Sequence, residues 1–296
     1  MPGSASNRLA LVTGAGGGIG MGVSLMLRDR GYDVIAVDVN QESADRAARM
    51  IGGGAVAVAS DASDADQVAE LADRIRGEWA DRLEVLVLNA GIILPENVID
   101  SDPAQLRRQI DIMLTAPIQH ISAAASVMVE HGRGKIIATV SMGGVLALPG
   151  SAAYSAAKGG LRAFLAATSA ELKATGVSVS GIYPSGVDTA MLRREARHGG
   201  SMLNFIGKTF TVDDVVRAYA RALDSGRLEV FLSPADAVAP RLLALSPQLA
   251  NRLLPVLEWL GRRGHRAYLR KLDDEPSNEP SVVVSTAAAA CSTGQR

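Results

Sequence analysis

A tyrosine and a lysine stand four positions apart in the alanine-rich run YSAAKGG, as Tyr154 and Lys158. The run favours a helix, and residues at positions i and i+4 lie one above the other on a helix surface. A nearby positive charge favours the phenolate and lowers the pKa of a tyrosine towards working pH. The spacing therefore fits a proton-transfer site, although the same pair also occurs on helix surfaces that carry no chemistry.

A glycine-rich loop, TGAGGGIG at residues 13–20, follows the first apolar run of the chain. Glycines leave backbone N–H groups accessible where the next helix begins, and the positive end of the helix dipole faces the same point. A loop of this kind between a first strand and a first helix is typical of dinucleotide binding, with a tight packing turn as the alternative. The predicted contacts are Gly14, Gly18, Ile19 and Gly20.

An acidic residue, Asp38, ends the second apolar run, YDVIAVD at residues 32–38. A carboxylate there accepts hydrogen bonds from both adenosine ribose hydroxyls and repels a 2′-phosphate. The stretch VDVNQES at residues 37–43 contains no Arg or Lys, so we predict NAD as the cofactor and disfavour NADP. Capping of the following helix is the alternative role of this carboxylate.

Apolar runs alternate with helical stretches along most of the chain. Runs rich in Val, Ile, Leu and Ala are typical of parallel strands buried on both faces, so the predicted fold is α/β, a doubly wound Rossmann-type parallel sheet. We expect one such domain at residues 8–239, between a flexible N-terminus at 1–7 and an amphipathic helical extension at 240–272 with a disordered tail at 273–296. The predicted strands occupy residues 8–14, 32–38, 55–61, 83–91, 134–141, 177–186 and 228–234, with helices that include 18–31, 66–79 and 103–130.

Five motifs follow one another along the chain: TGAGGGIG, LNAG at 88–91, Ser141, YSAAK, and YPSGVDT at 183–189. Their order and spacing resemble the short-chain dehydrogenase/reductase family, including the 13 positions between Ser141 and Tyr154. The match covers residues 8–234, and five ordered motifs are far more specific than any one of them. The resemblance implies an NAD-dependent oxidoreductase that interconverts a secondary alcohol and a ketone on a moderately apolar small molecule.

The same resemblance assigns roles to individual residues. Tyr154 is expected to act as general acid and base, Lys158 to lower its pKa and hold the nicotinamide ribose, and Ser141 to hydrogen-bond the substrate oxygen. The other predicted cofactor contacts are Asp61 and Ala62 near the adenine, Asn89, Ala90 and Gly91 on the adenosine side, and Pro184, Val187 and Thr189 near the carboxamide. Asn89 is equally explained as a turn residue that ties the central strands together.

Two positions depart from the pattern of the family. Met113 occupies the place of an asparagine that is thought to hold a water between the lysine and bulk solvent, a relay that methionine cannot provide. A register shifted by two would put Asp111 there instead. Ser185 stands where glycine is common in the loop after the sixth strand. The departure at 113 puts the proton relay in doubt but leaves the Ser-Tyr-Lys chemistry intact.

Composition excludes several classes of partner. The 296 residues carry 30 Lys and Arg against 31 Asp and Glu, so no global field would hold nucleic acid. The single cysteine, Cys291, excludes a disulfide framework within the chain and fits a reducing, cytoplasmic location. We see neither a secretory signal nor 18 consecutive apolar residues. The four histidines lack metal-ligand spacing, so no metal is expected.

The chain after the predicted sixth strand suggests a lid and a surface helix. Residues 191–210, here called the lid, mix basic, glycine and apolar residues, and Met191, Met202, Leu203 and Phe205 are expected to give the lid an apolar inner surface. Residues 240–272 predict short basic amphipathic helices broken at Pro247 and Pro255. They suit packing over the cleft or a subunit interface, or a weak contact with an anionic membrane surface.

Two further functions stay open at this level. The same fold and cofactor serve epimerases and dehydratases that regenerate a tightly bound NAD in each turnover. A cofactor-binding scaffold with impaired catalysis is the third interpretation, and the retention of Ser141, Tyr154 and Lys158 argues against it. By resemblance, the long helix at 103–130 and the YSAAKGG helix are surfaces buried in dimers, so a homo-oligomer is expected.

Overall fold

The computed structural model describes residues 8–274 of the chain. The predicted flexible N-terminus at 1–7 and residues 275–296 of the predicted tail lie outside the described residues. Asp273 and Asp274, the first two residues of that predicted tail, belong to the last helix.

Seven parallel strands form one sheet in the order β3-β2-β1-β4-β5-β6-β7. The strands are β1 Leu9–Thr13, β2 Asp33–Asp38, β3 Val56–Ala59, β4 Leu83–Leu88, β5 Gly134–Thr139, β6 Val177–Tyr183 and β7 Glu229–Phe231. The predicted doubly wound parallel sheet is confirmed. Its strand order reverses between β1 and β4, and ligands of such sheets bind outside the carboxyl ends of the strands at this point.

Helices cover both faces of the sheet. They are α1 Gly18–Asp29, α2 Gln41–Ile51, α3 Ala65–Arg76, α4 Pro103–Ile110, α5 Ala116–Glu130, α6 Ala152–Glu171, α7 Ala190–His198, α8 Val212–Ser225, α9 Pro234–Ala244 and α10 Pro247–Asp274. One hydrophobic core lies between the sheet and α3, α5 and α6, and a second lies between the sheet and α1, α2 and α8. The sheet is therefore buried on both sides, as its almost continuous apolar strands require.

The predicted helix over residues 103–130 is continuous but contains one widened turn at Asp111–Thr115. There the N–H of Ala116 donates to the carbonyl of Asp111, five residues earlier. Pro117 has no N–H to donate to the carbonyl of Met113, which accounts for a turn that widens just before it. This 28-residue segment is long and apolar enough to cross a membrane, yet 56% of its most apolar window is buried. A core helix of a globular domain meets the same test.

Helix α8 adds to the predicted elements. Thr211 caps it by accepting the N–H of Asp214, whose carboxylate accepts the Thr211 N–H in return. This capping box is a strong start signal, and the apolar face of the helix fills the second core.

The extension differs from its prediction at Pro255. Helix α10 runs through this residue without interruption, so the predicted break there is wrong, whereas the break at Pro247 is confirmed because α10 begins at that residue. A proline at 255 removes the hydrogen bond to the carbonyl of Asn251 and crowds it, but Asn251 is exposed, so the helix can bend and water can satisfy this carbonyl. Helix α9 crosses the predicted domain boundary at 239/240.

The turn that leads into β6 provides a matched test of backbone packing. Gly176 and Gly31 both have φ of +81°. A Cβ at Gly176 would lie 2.0 Å from the carbonyl oxygen of Gly132, whereas a Cβ at Gly31 would meet no atom within 4 Å. We predict that Gly176→Ala lowers the free energy of unfolding by at least about 3 kcal/mol and Gly31→Ala by about 1 kcal/mol, measured by urea denaturation. Equal losses in the two variants would contradict the close approach at Gly176.

Candidate active site

The glycine-rich loop turns tightly between β1 and α1. Gly14 has φ of +64°, and a Cβ at Gly20 would lie 2.0 Å from the Gly14 carbonyl oxygen. Gly17 and Gly18 are exposed, Ile19 is half-buried, and Gly17 caps α1 without a side-chain hydrogen bond. The first N–H groups of α1 therefore have no capping side chain in front of them. This cradle fits the pyrophosphate of a dinucleotide.

Asp38 lies at the carboxyl end of β2 with its carboxylate directed towards this loop. One carboxylate oxygen accepts the N–H of Gly16 at 2.8 Å, and the other accepts the N–H of Val39 at 2.9 Å. The alternative role as a helix cap is not observed, because Asn40 caps α2. Arg46, the first cation of α2, lies 3.9 Å from Glu42 in an ion pair.

Side-chain hydrogen bonds join the carboxyl ends of β1, β4 and β5. Thr13 Oγ1 accepts the N–H groups of Asn89 and Ala90 at 3.1 and 3.2 Å. The Asn89 amide donates to the Gly14 carbonyl at 3.2 Å, and its oxygen accepts the Thr139 hydroxyl at 3.0 Å. Asn89 thus ties the central strands together, which was the alternative explanation of its presence, and it also holds the glycine-rich loop.

Ser141 and Tyr154 meet at the carboxyl end of β5. Ser141 follows the strand, accepts the N–H of Gly143 at 3.0 Å and lies close enough to the phenol of Tyr154 on α6 to influence its pKa. Burial raises the pKa of Tyr154 to about 12, and the Ser141 side chain opposes this effect. Two hydroxyl groups therefore lie side by side where a substrate oxygen could accept hydrogen bonds from both.

Lys158 is buried one turn after Tyr154 on α6. Its Nζ donates to the carbonyl of Thr139 at 2.7 Å and lies 6.0 Å from the centroid of the Tyr154 ring. Burial lowers the pKa of Lys158 to about 8. The lowering of the Tyr154 pKa by Lys158 stays a prediction, since burial has the largest effect on the pKa of this phenol.

Met113, in the widened turn before α5, and Lys158 both approach Gly91. Met113 Sδ is 3.6 Å, and Lys158 Nζ is 3.8 Å, from the point that a Cβ on Gly91 would occupy. Met113 is fully buried and packs in one apolar cluster with Tyr154. Asp111, the residue of the alternative register, accepts a hydrogen bond from Thr115 at the surface. A thioether is a weak acceptor with no proton to donate, so no amide holds a water here.

The loop after β6 brings Pro184, Val187 and Thr189 to the same edge of the sheet. The Pro184 carbonyl accepts the N–H of Met142, next to Ser141, at 2.9 Å. Thr189 caps α7 with its hydroxyl, and Ser185 donates to a carboxylate of α9 at 3.4 Å. The assignment of this loop to the carboxamide stays a prediction.

Asp188 anchors this loop to the C-terminal helix. Its carboxylate accepts hydrogen bonds from Arg193 at 2.9 Å, Tyr268 at 2.7 Å and Lys271 at 3.2 Å. Burial acts against the ionised form, but these three bonds together lower the pKa of Asp188. Helix α10 is thereby attached through Asp188 to the loop that carries Val187 and Thr189.

The lid packs its apolar side chains against α10. A Cβ on Gly261 would lie 2.1 Å from the Met202 carbonyl oxygen, and one on Gly264 would lie 1.9 Å from that of Phe205. Phe205 is buried against the ring of Tyr268. The expected apolar inner surface of the lid is therefore wrong for Phe205, whose ring packs against Tyr268 of α10.

A buried carboxylate, Glu195, lies on α7 within the lid. Both of its oxygens are 3.3 Å from the amide nitrogen of Asn204. Burial raises the pKa of Glu195 to about 7, and the hydrogen bond from Asn204 opposes this effect. Its negative charge also raises the pKa of Tyr154, which places Glu195 within electrostatic range of the phenol.

The remaining predicted residues take structural positions. Asp61 accepts hydrogen bonds from the N–H and hydroxyl of Ser63 at 2.8 and 2.7 Å, and Asp64 caps α3. Ala62 packs against the cluster that contains Met113. Burial lowers the pKa of His120, a core residue, to about 4. Within residues 8–274 no group of three His, Cys, Asp or Glu side chains is arranged to hold a metal ion.

Comparison with known proteins places this arrangement in a family. The family model described as short chain dehydrogenase matches residues 8–199, about two thirds of the chain. The chain belongs to the short-chain dehydrogenase family. This membership confirms the resemblance that the five motifs indicated. Members of this family include both dehydrogenases and reductases that use NAD(H) or NADP(H).

Individual relatives are similar over most of their length. Cis-4-hydroxycyclohexanecarboxylate dehydrogenase of Sinomonas cyclohexanicum is 34% identical over 228 residues, 73% of this chain and 88% of the relative. The structure of 3-ketoacyl-(acyl-carrier-protein) reductase from Brucella melitensis complexed with NADH is 25% identical, has a TM-score of 0.67 and covers 78% of this chain and 99% of its own. A short-chain dehydrogenase from Sphingobium yanoikuyae in complex with NADPH shares the fold, with a TM-score of 0.69 over 93% of this chain and 99% of its own at 22% identity.

Four residues of the site have no counterpart in the sequence predictions. Thr139 supplies the carbonyl for Lys158, Glu195 brings a carboxylate near Tyr154, and Asp188 and Tyr268 join the loop to α10. The end of a predicted strand points to Thr139 as a site residue. The other three have no local signal, since Asp188 and Tyr268 are 80 positions apart and join only in the folded chain.

The buried carboxylate makes the stability of the lid depend on pH. A pKa raised from 4.5 to about 7 means that the stabilising effect of the protonated acid is complete below pH 4.5 and is lost as the pH rises through about 7. Glutamine stays neutral, so we predict that Glu195→Gln is more stable than the wild type by on the order of 3 kcal/mol at about pH 8.5, and equally stable near pH 4. Urea denaturation at the two pH values measures this difference. Glu70→Gln on the surface of α3 is the control, and the same pH profile in all three proteins would contradict the burial of Glu195.

Proposed function

We propose that this protein is an NAD-dependent oxidoreductase that interconverts a secondary alcohol and a ketone on a moderately apolar small molecule. The observation that carries the proposal is the convergence of Ser141, Tyr154 and Lys158 at the carboxyl end of β5, beside the glycine-rich cradle. Neither the fold nor this set of donors distinguishes a dehydrogenase from an epimerase that regenerates bound NAD, and a steady-state change in NADH absorbance separates the two.

Tyr154 and Ser141 are the groups that handle the substrate oxygen. In reduction, the Tyr154 hydroxyl transfers its proton to the carbonyl oxygen, while the Ser141 hydroxyl donates a hydrogen bond to the same oxygen. In oxidation, the phenolate takes the proton of the alcohol. The nicotinamide, when bound, supplies or accepts the hydride at the substrate carbon.

Lys158 provides the positive charge of the site. Its ammonium stabilises a phenolate on the same helix, and the carbonyl of Thr139 fixes its position. Its Nζ is also the group that would hold the nicotinamide ribose. By resemblance to the family, Met113 stands where an asparagine would hold a water near this lysine. We therefore propose that protons reach solvent from the substrate side of Tyr154 rather than past Lys158 and Met113.

The adenosine end of the cofactor is assigned from Asp38. Its carboxylate stands beside the cradle, while the first cation on α2, Arg46, lies in the second turn of that helix, in a loose surface ion pair with Glu42. A 2′-phosphate would meet negative charge at this position, so we favour NAD. Asp61, Ala62, Asn89, Ala90 and Gly91 on the adenosine side, and Pro184, Val187 and Thr189 near the carboxamide, are the remaining proposed contacts.

The substrate class is proposed from the site and from the relatives. A relative at 34% identity is named as a dehydrogenase of a hydroxylated cyclohexane, which favours a cyclic secondary alcohol here. Absorbance assays with NADH or NAD against cyclic ketones and alcohols test this class. A cytoplasmic homo-oligomer is part of the same proposal.

Removal of the phenol hydroxyl tests the catalytic assignment. Tyr154→Phe keeps the ring and removes the proton donor, so we expect kcat to fall by about 10²- to 10⁴-fold while the NADH dissociation constant changes little. Tyr183→Phe changes a buried tyrosine that stacks on Phe231 and is expected to retain activity. Turnover at the wild-type rate in Tyr154→Phe would exclude Tyr154 as the acid.

Cofactor choice is tested at Asp38. Asp38→Ala removes the carboxylate that faces the ribose, so we expect the ratio of NADH to NADPH affinity to fall by at least about tenfold. Fluorescence titration with both dinucleotides measures this ratio, and Glu70→Ala, an exposed carboxylate on α3, is the control. An unchanged ratio would show that the ribose is recognised elsewhere.

A further inference from the structure

The outer surface of α9 and α10 carries a concentration of exposed apolar side chains. Of the sixteen exposed large apolar residues in the described part of the chain, seven lie on these two helices and an eighth, Leu245, lies in the turn between them. Leu245 is 81% exposed, Leu242 is 61% exposed and Trp259 is 49% exposed. We call this set the apolar strip: Val238, Leu242, Leu245, Leu249, Leu253, Val256, Trp259 and Leu260.

The apolar strip is distinct from the face of α10 that packs on the domain. That inner face presents Gly261, Gly264, Tyr268 and Leu272 to the lid and is buried or half-buried. The spacing of 249, 253, 256 and 260 places the exposed residues along one side of α10. Exposed apolar patches of this extent mark an interaction site rather than a random scatter of surface residues.

Positive charge accompanies the apolar strip. Residues 241–272 contain seven Lys and Arg and one acidic residue, Glu258, in a chain whose net charge is -1. Arg241 is bound to Glu229, Arg262 to Glu258 and Lys271 to Asp188. Within residues 8–274 no carboxylate pairs with the four remaining arginines, which are Arg252, Arg263, Arg266 and Arg270.

Trp259 adds an aromatic anchor to this surface. The guanidinium of Arg263 lies over its ring, 5.1 Å from the centroid. A half-exposed indole with a cation beside it is typical of side chains at the boundary between lipid acyl chains and headgroups.

We propose that the outer face of α9 and α10 docks on an anionic lipid surface. Apolar side chains would enter the headgroup region while the four arginines that pair with no described carboxylate contact lipid phosphates, as in interfacial amphipathic helices. A second copy of the chain fits this face less well, because a two-fold interface would bring the same arginines opposite each other. Docking leaves the inner face of α10, and hence the lid, in place.

Vesicle flotation of the full-length protein tests the proposal. With vesicles of phosphatidylcholine and phosphatidylglycerol at low salt, we expect at least about tenfold more bound protein than with phosphatidylcholine alone, and release as salt is raised. Equal binding to the two compositions, or no binding to either, would overturn it.

Matched variants distinguish binding through the apolar strip from nonspecific adsorption of the protein to vesicles. Leu245→Ser combined with Trp259→Ser should abolish flotation, whereas Val98→Ser with Ile99→Ser, at an exposed apolar site remote in sequence, should not. Arg252→Gln with Arg263→Gln should weaken binding at least about tenfold, and Arg49→Gln with Lys173→Gln should not. Flotation that survives the strip variant would overturn the proposal.

Light scattering distinguishes a lipid surface from a second copy as the occupant. Because Leu245 and Trp259 are exposed, their variant should keep the thermal midpoint and the oligomeric state of the wild type. Conversion of a wild-type oligomer into monomers by Leu245→Ser with Trp259→Ser would assign the face to subunit contact and overturn lipid docking.

Discussion

The buried ammonium of Lys158 is the constraint on which the rest of the site depends. A charge removed from water is costly unless polar groups replace its hydration, and here the Thr139 carbonyl does so at 2.7 Å. Thr139 is held in turn, since its hydroxyl lies 3.0 Å from Asn89 and 2.5 Å from the hydroxyl of Tyr219. The position of the Lys158 ammonium is therefore determined by the carboxyl ends of β4 and β5 together with the buried face of α8.

This arrangement leaves Lys158 near its titration point. Burial lowers its pKa to about 8, and the neighbouring Met113 offers no oxygen to restore the charged form. An amide in that position would accept a hydrogen bond directly or through water. Met113 therefore leaves burial of Lys158 without a further polar partner on its side of the site.

Much of the fold and most of the site are predictable because their signals are local. Apolar runs predict each strand, and since the carboxyl ends of parallel strands share one edge, the motifs after them must converge. Pro255 misleads because a single lost hydrogen bond does not end an exposed helix. The attachment of α10 through Asp188 and Tyr268, and the burial of Glu195, depend on packing between distant segments, which a periodicity does not encode. The pKa of Tyr154 also depends on burial, which has the largest effect on it and has no local signal in the sequence.

Titration with NADH tests the central claim, that the charge of buried Lys158 serves the dinucleotide site. We predict that the wild-type protein binds NADH about tenfold more weakly at about pH 9.5 than at about pH 7, because Lys158 loses its proton between these two pH values. Lys158→Met, whose fold is checked by circular dichroism, should bind weakly at both values. Equal affinity of the two proteins at both pH values would contradict the claim.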